Sequence, residues 1–183
     1  RWWTSASLKY SITRCEVISS VSSLLRKSIK MSTKQSSPSK LEIDIQFASA
    51  AIEEKVFAFA SSAAIKKWVK ATVHLNGLIT LRFVNLAEGK KLNFAFRSKD
   101  YATNVLTFSY ELSNKTVTAD IIFCLPVIQK EALEQSKRMR AHLAHLVIHG
   151  CLHAQGLDHQ QRVHGVWQRC GDRIRLKAWP TNR

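Results

Sequence analysis

The 183-residue chain is long enough for one domain with a substantial core, and its 45% hydrophobic residues exclude wholesale disorder. Its formal net charge of +15 favours a polyanionic partner, with nucleic acid first and a membrane surface second. Because no apolar run approaches the roughly 20 residues that span a bilayer, the sequence predicts no transmembrane segment.

The positive charge is concentrated at the two ends of the chain. Six basic residues and one acidic residue lie in residues 1–30, and the same numbers lie in residues 160–183. The first of these segments is also rich in serine, which has two interpretations. It is either an organellar transit peptide or translated sequence upstream of a domain that starts at Met31.

We therefore predict three segments: a basic leader over residues 1–39, one folded domain over residues 40–160 and a divergent basic tail over residues 161–183. We expect the leader to be disordered or not native. The four cysteines form no Cys-x-x-Cys pair, which favours a reducing compartment. The sequence thus predicts a cytoplasmic protein, or a mitochondrial or plastid protein if the leader is a transit peptide.

The first half of the domain shows alternating strand and helix patterns. Four elements are predicted there: a strand over residues 41–47, a helix over residues 50–73, a strand over residues 78–85 and a short helix over residues 87–96. The long helix is expected to break near Ser61 and Ser62, and Asn76-Gly77 marks the turn before the second strand.

The second half begins with a polar loop and a strand that starts near Asn104. A further strand over residues 119–126 is expected to end at Pro126. A long helix over residues 128–155 follows, charged at first and apolar later, so its later part enters the core. These elements predict an α+β fold, with a small mixed sheet of about four strands packed with helices.

Three histidines lie around the end of this long predicted helix. His149 and His153 are four residues apart, which on a helix stacks both imidazoles on one face. Gly156 tolerates the left-handed conformation that ends helices, so the chain can turn back and bring His159 over the same face. Three neutral imidazoles suit Zn²⁺ and leave a fourth position open, as in catalytic sites. We predict one Zn²⁺ per chain on this central helix.

Two neighbouring residues limit this interpretation. Cys151 lies about 200° around the helix from both histidines, so it is expected to be a small buried residue rather than a fourth ligand. The spacing also fits the metzincin peptidase pattern H-E-x-x-H-x-x-G-x-x-H, but Gly150 stands where that pattern has its Glu general base. A zinc peptidase is therefore the second interpretation.

The run His-Gly-Cys-Leu-His-Ala-Gln-Gly-Leu-Asp-His at residues 149–159 resembles the signature of the YbeY family of metal-dependent endoribonucleases, with Leu157 where the family usually has Tyr. Residues 97–108 resemble a second family run, Arg-Gly-Lys-Asp-x-x-Thr-Asn-Val-Leu-Ser-Phe, with Ser98 in place of Gly and Thr107 in place of Ser. The strand that starts at Ala119 resembles its Gly-Asp-Ile-x-Ile-Cys strand. The resemblance ends after His159, where the family usually continues into an acidic helix and this chain is basic.

The resemblance implies a single-strand-specific endoribonuclease that acts in small-subunit ribosomal RNA maturation and ribosome quality control. Its partners would be ribosomal RNA and the small ribosomal subunit. It also makes Arg97 the catalytic residue that grips the scissile phosphate and offsets its developing charge. By itself, Arg97 would be interpreted as a surface charge in a loop. The oligomeric state is not predicted.

Three further residues are candidates for the site. Lys99 can add a less directional phosphate contact. His145 lies on the ligand face one turn before His149, so it is either a substrate contact, an outer partner of the metal ligands or a buried structural histidine. Asp158 is the one candidate carboxylate beside a ligand, and it is better placed to orient a neighbour or cap the turn than to take protons. A third interpretation of the whole chain is a non-catalytic ribosome-assembly factor with structural zinc.

Overall fold

The computed structural model describes residues 40–157. The strands and helices alternate along this part of the chain in the order β1 Leu41–Phe47, α1 Ala50–Phe57, α2 Ser62–Thr72, β2 Asn76–Val84, α3 Leu86–Arg97, β3 Val105–Leu112, β4 Thr116–Cys124, α4 Leu125–Glu134 and α5 Met139–Ala154. The predicted leader, the predicted tail and the residues from Asp158 onward lie outside the described residues, so the domain boundaries stay predictions.

The four strands form one mixed sheet in the order β1-β2-β4-β3. β1, β2 and β4 run parallel, and β3 pairs antiparallel to β4 with a bulge between Ser109 and Glu111. The sheet is packed with helices, so the predicted α+β fold is confirmed. β3 lies at the edge of this sheet, so it pairs with a strand on one side only, namely β4.

The core lies on one face of the sheet. The side chains that build this face alternate along the strands, and α2 and α5 cover them. Phe83 of β2 stacks on Phe123 of β4 with ring centroids 5.2 Å apart. From α5, Leu143 and Val147 are buried in the same cluster. The last helix of the described chain is therefore fixed by core packing.

The first half of the domain follows its sequence pattern closely. β1 has the predicted bounds, and the predicted helix over residues 50–73 is broken as expected. The break is set by Ser61, whose hydroxyl accepts a hydrogen bond from the backbone N–H of Ala64 at 3.3 Å and so caps α2.

The predicted single helix over residues 128–155 is wrong. The structure has two helices, α4 and α5, separated at Ser136, which has φ 50. The N–H of Ser136 donates to Leu133 O at 3.1 Å and that of Lys137 donates to Ala132 O at 2.8 Å, the paired bonds that end a helix in a left-handed residue. Polar residues over 134–138 offer the core nothing to bury, so the helix is free to stop there.

Pro126 also acts differently from the prediction. β4 ends at Cys124, and Pro126 lies in the first turn of α4. The missing N–H of proline is not needed there, and its fixed φ suits the first turn of a helix.

Within residues 40–157, no helix combines the length and apolar character needed to cross a bilayer, which agrees with the sequence.

Candidate metal and phosphate site

α5 presents two different faces. Leu143, Val147 and Cys151 point into the core, and the side chains of His145, His149 and His153 are only half-buried. The burial of Cys151 confirms the prediction that its thiol lies away from the histidine face. The three histidines therefore form a row along one side of a helix that the core holds in place.

The helix ends where glycine was predicted to end it. Gly156 has φ 71, and its N–H donates to His153 O at 3.0 Å. The N–H of Leu157 donates to Leu152 O at 3.1 Å, which completes the left-handed helix end. The carbonyl of Ala154 accepts a hydrogen bond from Ser109 Oγ of β3 at 3.3 Å. These bonds fix the direction in which the chain leaves the histidine face.

The rings of His149 and His153 converge. Their centroids lie 4.4 Å apart at an interplanar angle of 89°, and their Nε2 atoms lie 3.1 Å apart. Two nitrogens that bind one tetrahedral Zn²⁺ at about 2.05 Å lie about 3.3 Å apart. The two rings lie within hydrogen-bond distance of each other, at a spacing close to that of two ligands of one ion, and their imidazole nitrogens are donors that Zn²⁺ prefers. These two residues fit the predicted ion.

The predicted third ligand lies beyond the part of the chain that the structure describes. His159 and Asp158 both follow Leu157, the last described residue. Among residues 40–157, no three His, Cys, Asp or Glu side chains form a group that could hold a metal ion. The structure therefore brings together His149 and His153, and the full ligand set stays a prediction.

His145 extends the row by one turn. Its ring lies 6.5 Å from that of His149 and almost parallel to it, with an interplanar angle of 12°. Burial lowers the pKa of His145 to about 4, and electrostatic interactions with Lys137 and His142 add to this effect. The imidazole is therefore neutral at physiological pH, and it adds no positive charge beside the candidate ligands.

Gly150 occupies the position of the glutamate in the metzincin peptidase pattern. A Cβ atom at this position would lie 2.6 Å from Cγ2 of Ile121 and 3.5 Å from Oγ1 of Thr107. The helix therefore touches the sheet through Gly150, and a Glu side chain has no room there. This contact removes the general base that the metzincin interpretation requires.

We expect Gly150→Ala to lower the free energy of unfolding by up to about 2 kcal/mol. Overpacking costs about 1–3 kcal/mol and the higher helix propensity of Ala returns about 1 kcal/mol. Urea unfolding measures the change. In the Ile121→Leu background, which lacks the Cγ2 methyl group, the same substitution should cost less, so equal costs in both backgrounds would contradict the contact.

Arg97 and Lys99 lie at the end of α3 and in the loop that follows it. Both side chains are exposed. Next to Arg97, the ring of Phe96 packs on Phe108 of β3 at a centroid distance of 4.3 Å. On the other side of β3, Thr107 faces Gly150 of α5. The arginine-bearing segment and the histidine helix therefore adjoin the same edge strand from opposite faces.

The end of α3 has a strained residue. Ser98 has φ 54, in the left-handed region that glycine tolerates best, and the family run that this segment resembles has Gly at this position. The N–H of Ser98 donates to Phe94 O at 2.9 Å, so the residue is part of the helix end. The departure from the family pattern is therefore accommodated by backbone strain beside Arg97.

We expect Ser98→Gly to raise the free energy of unfolding by about 0.5–1 kcal/mol. Removing the Cβ atom relieves about 1–2 kcal/mol of strain in the left-handed region, and the greater freedom of glycine in the unfolded chain offsets part of it. Thermal unfolding measures the difference. Ser98→Ala keeps the strain and serves as the control, so an equal gain from Ala would show that φ is not its cause.

A polar network that was not predicted from the sequence joins α4 to α5 and to the loop before β3. Glu131 of α4 accepts hydrogen bonds from Asn104 Nδ2 at 3.1 and 3.0 Å and from His142 Nε2 at 3.1 Å. A carboxylate can only accept, so His142 donates through Nε2. Asn104 Oδ1 accepts from the N–H of Val105 at 2.7 Å, so the Asn104 side chain also fixes the loop before β3. The hydroxyl of Thr103 donates to Asn104 Oδ1 at 3.4 Å.

Comparisons with known proteins match this chain to one family. The family model described as endoribonuclease YbeY matches residues 39–165. The chain is 69% identical over 125 residues to the endoribonuclease YbeY of Polynucleobacter asymbioticus, a match that covers 68% of this chain and 81% of that protein. It is 48% identical over 122 residues to that of Paraburkholderia phytofirmans, covering 66% of this chain and 80% of that protein.

The fold also resembles a solved structure. A solution structure of a Thermotoga maritima protein matches with a TM-score of 0.53 at 24% sequence identity, covering 73% of this chain and 87% of that one. At this identity the likeness concerns the fold alone. It agrees with the α+β architecture described above.

Proposed function

The chain belongs to the endoribonuclease YbeY family, and from this premise we propose that it is a Zn²⁺-dependent endoribonuclease that cleaves single-stranded RNA. Its substrate is the precursor of small-subunit ribosomal RNA, and its partners are ribosomal RNA and the small ribosomal subunit. It serves ribosomal RNA maturation and ribosome quality control in the cytoplasm. The family and the sequence motifs support the general reaction, and the charge of +15 supports a nucleic-acid substrate.

The observation that carries the proposal is the convergence of His149 and His153. Their Nε2 atoms lie 3.1 Å apart on the half-buried face of a helix that the core fixes. With His159 they would hold one Zn²⁺, which when bound supplies Lewis acidity toward a phosphoryl oxygen and lowers the pKa of a bound water. The two described rings supply imidazole nitrogen donors in positions that need no rearrangement of the helix.

In this proposal, Arg97 binds the scissile phosphate. Its exposed guanidinium can donate two parallel hydrogen bonds to the scissile phosphate, which orients it and offsets the negative charge that grows during cleavage. Lys99, two residues later, adds a positive charge without fixed direction. His145 is neutral, so it can contact the substrate through a hydrogen bond but not through an ion pair.

We expect Arg97→Ala to slow cleavage of a labelled single-stranded RNA by about 100- to 1,000-fold, the usual cost of losing one donor to a developing charge. Arg97→Lys should restore only part of the rate because lysine cannot form the paired contact. Lys66→Ala on α2 removes an equal charge from an exposed position and is the control. Rates are measured on the strand and on its duplex.

Two results would refute the proposal. Turnover of casein that a chelator stops, with RNA left intact, would show a peptidase despite Gly150. RNA binding that weakens steeply with salt, without cleavage by zinc-loaded protein, would show a non-catalytic assembly factor. Equal rates for the wild type and Arg97→Ala would remove Arg97 from the reaction.

A further inference from the structure

The outer surface of α3 carries an unusual row of exposed side chains. Leu86, Lys90, Phe94 and Arg97 follow one another at intervals of four, four and three residues, so they lie on one face of the helix. The exposed fractions of Leu86 and Phe94 are 55% and 58%, which is high for large apolar side chains. These four residues form the α3 stripe, and it ends at the proposed phosphate-binding arginine.

The loop after α3 is fixed against this helix by two contacts. Lys90 Nζ lies 3.1 Å from Asp100 Oδ1, and Asn93 Nδ2 donates to Tyr101 O at 2.6 Å. Asn93 is itself buried, so its hydrogen bond is shielded from water. The Tyr101 side chain remains 59% exposed. A second aromatic ring is thus held on a loop that is bound to the helix carrying Phe94.

The charges around these rings favour an anionic occupant. Of the acidic residues on α3 and its loop, Glu88 is paired with Arg82 at 2.9 Å and Asp100 with Lys90. Within residues 40–157, no carboxylate lies at ion-pair distance from Arg97 or Lys99. These two cations are therefore available for phosphate groups on the same surface as the exposed rings.

We propose that Phe94 and Tyr101 stack on unpaired bases of an RNA strand whose phosphates contact Arg97 and Lys99. Alternating aromatic rings and cations are how proteins bind single strands without reading their sequence, because every base has a flat face and every linkage a charge. The bases of a duplex are stacked on one another and cannot lie on these rings. The inference rests on the proposed function, since it extends the phosphate site, and it gives a physical origin for single-strand selectivity.

The test measures binding of the full-length, zinc-loaded protein to a fluorescein-labelled 2′-O-methyl RNA decamer by fluorescence anisotropy. A gel run afterwards checks that the strand is intact. Phe94→Ala and Tyr101→Ala should each weaken binding by about 5- to 100-fold. They should leave binding of an abasic decamer unchanged, because that strand has phosphates but no bases. Phe94→Trp and Tyr101→Trp should keep the affinity of the wild type.

Leu133→Ala is the matched control, because Leu133 is 82% exposed on α4 and is not part of the stripe. Wild-type affinity in both alanine variants would overturn the inference, as would an equal loss for the decamer and its abasic form. Either result would leave RNA cleavage itself untouched. Binding as expected by a protein that cleaves no RNA would retain the stacking surface and refute the nuclease proposal instead.

Discussion

Replacing His153 by alanine is expected to remove Zn²⁺ binding and RNA cleavage together while leaving the protein folded. His153 and His149 bring their Nε2 atoms to 3.1 Å on the half-buried face of α5, and the core contacts of this helix come from other residues. Alanine is the best helix former, so the helix should persist. The loss of the ion removes several kcal/mol of transition-state stabilisation, which corresponds to at least about a 1,000-fold loss in rate.

Metal analysis of protein purified without added ions measures the first effect, and cleavage of a labelled single strand measures the second. His74→Ala is the matched control, because His74 is an exposed histidine in the connection between α2 and β2. The control should keep about one Zn²⁺ per chain and the full rate. A His153→Ala variant that retains both metal and activity would place the ion elsewhere and end the metal assignment.

The histidine face was predictable because it depends on one helix alone. Spacing by four residues put His149 and His153 on one face, the angle around the helix put Cys151 on the other, and Gly156 marked the end. Each of these features follows from 3.6 residues per turn and from the backbone freedom of glycine. Short-range geometry of this kind can be calculated before the fold is known.

The network around Glu131 was not predictable for the opposite reason. In one continuous helix, Glu131 and His142 would be about 16 Å apart along the axis. The turn at Ser136 folds α4 back against α5 and brings their side chains to 3.1 Å. Serine is a poor signal for a left-handed residue, and the helix formers around it favoured one helix. A single missed turn therefore hid a long-range contact.

The place of Arg97 depends on sheet order, which periodicity does not encode. Its segment and the histidine helix contact the same edge strand, β3, through Phe108 on one face and Thr107 on the other. From the pattern alone the residue was a surface charge, and only the resemblance to YbeY gave it a role. The structure supplies a strand that both segments contact.

Replacing Glu131 by alanine is expected to lower the free energy of unfolding by about 2–3 kcal/mol. The carboxylate accepts hydrogen bonds from Asn104 and His142, and the latter is only 5% exposed. Among the described residues, Nδ1 of His142 has no hydrogen-bond partner, so the substitution would leave both of its ring nitrogens unsatisfied. Each buried polar group left without a partner costs about 1–3 kcal/mol, and the partial exposure of Glu131 limits the total.

Urea unfolding separates this effect from a general loss of charge on α4. Glu134→Ala removes the same charge from the same helix, but Glu134 makes only an exposed ion pair with Lys130 at 3.8 Å, so its loss should cost less than about 0.5 kcal/mol. Glu131→Gln keeps one acceptor oxygen and should fall between the two. Because the network joins the loop before β3 to the start of α5, equal unfolding midpoints for the two alanine variants would mean that core packing alone positions the histidine helix.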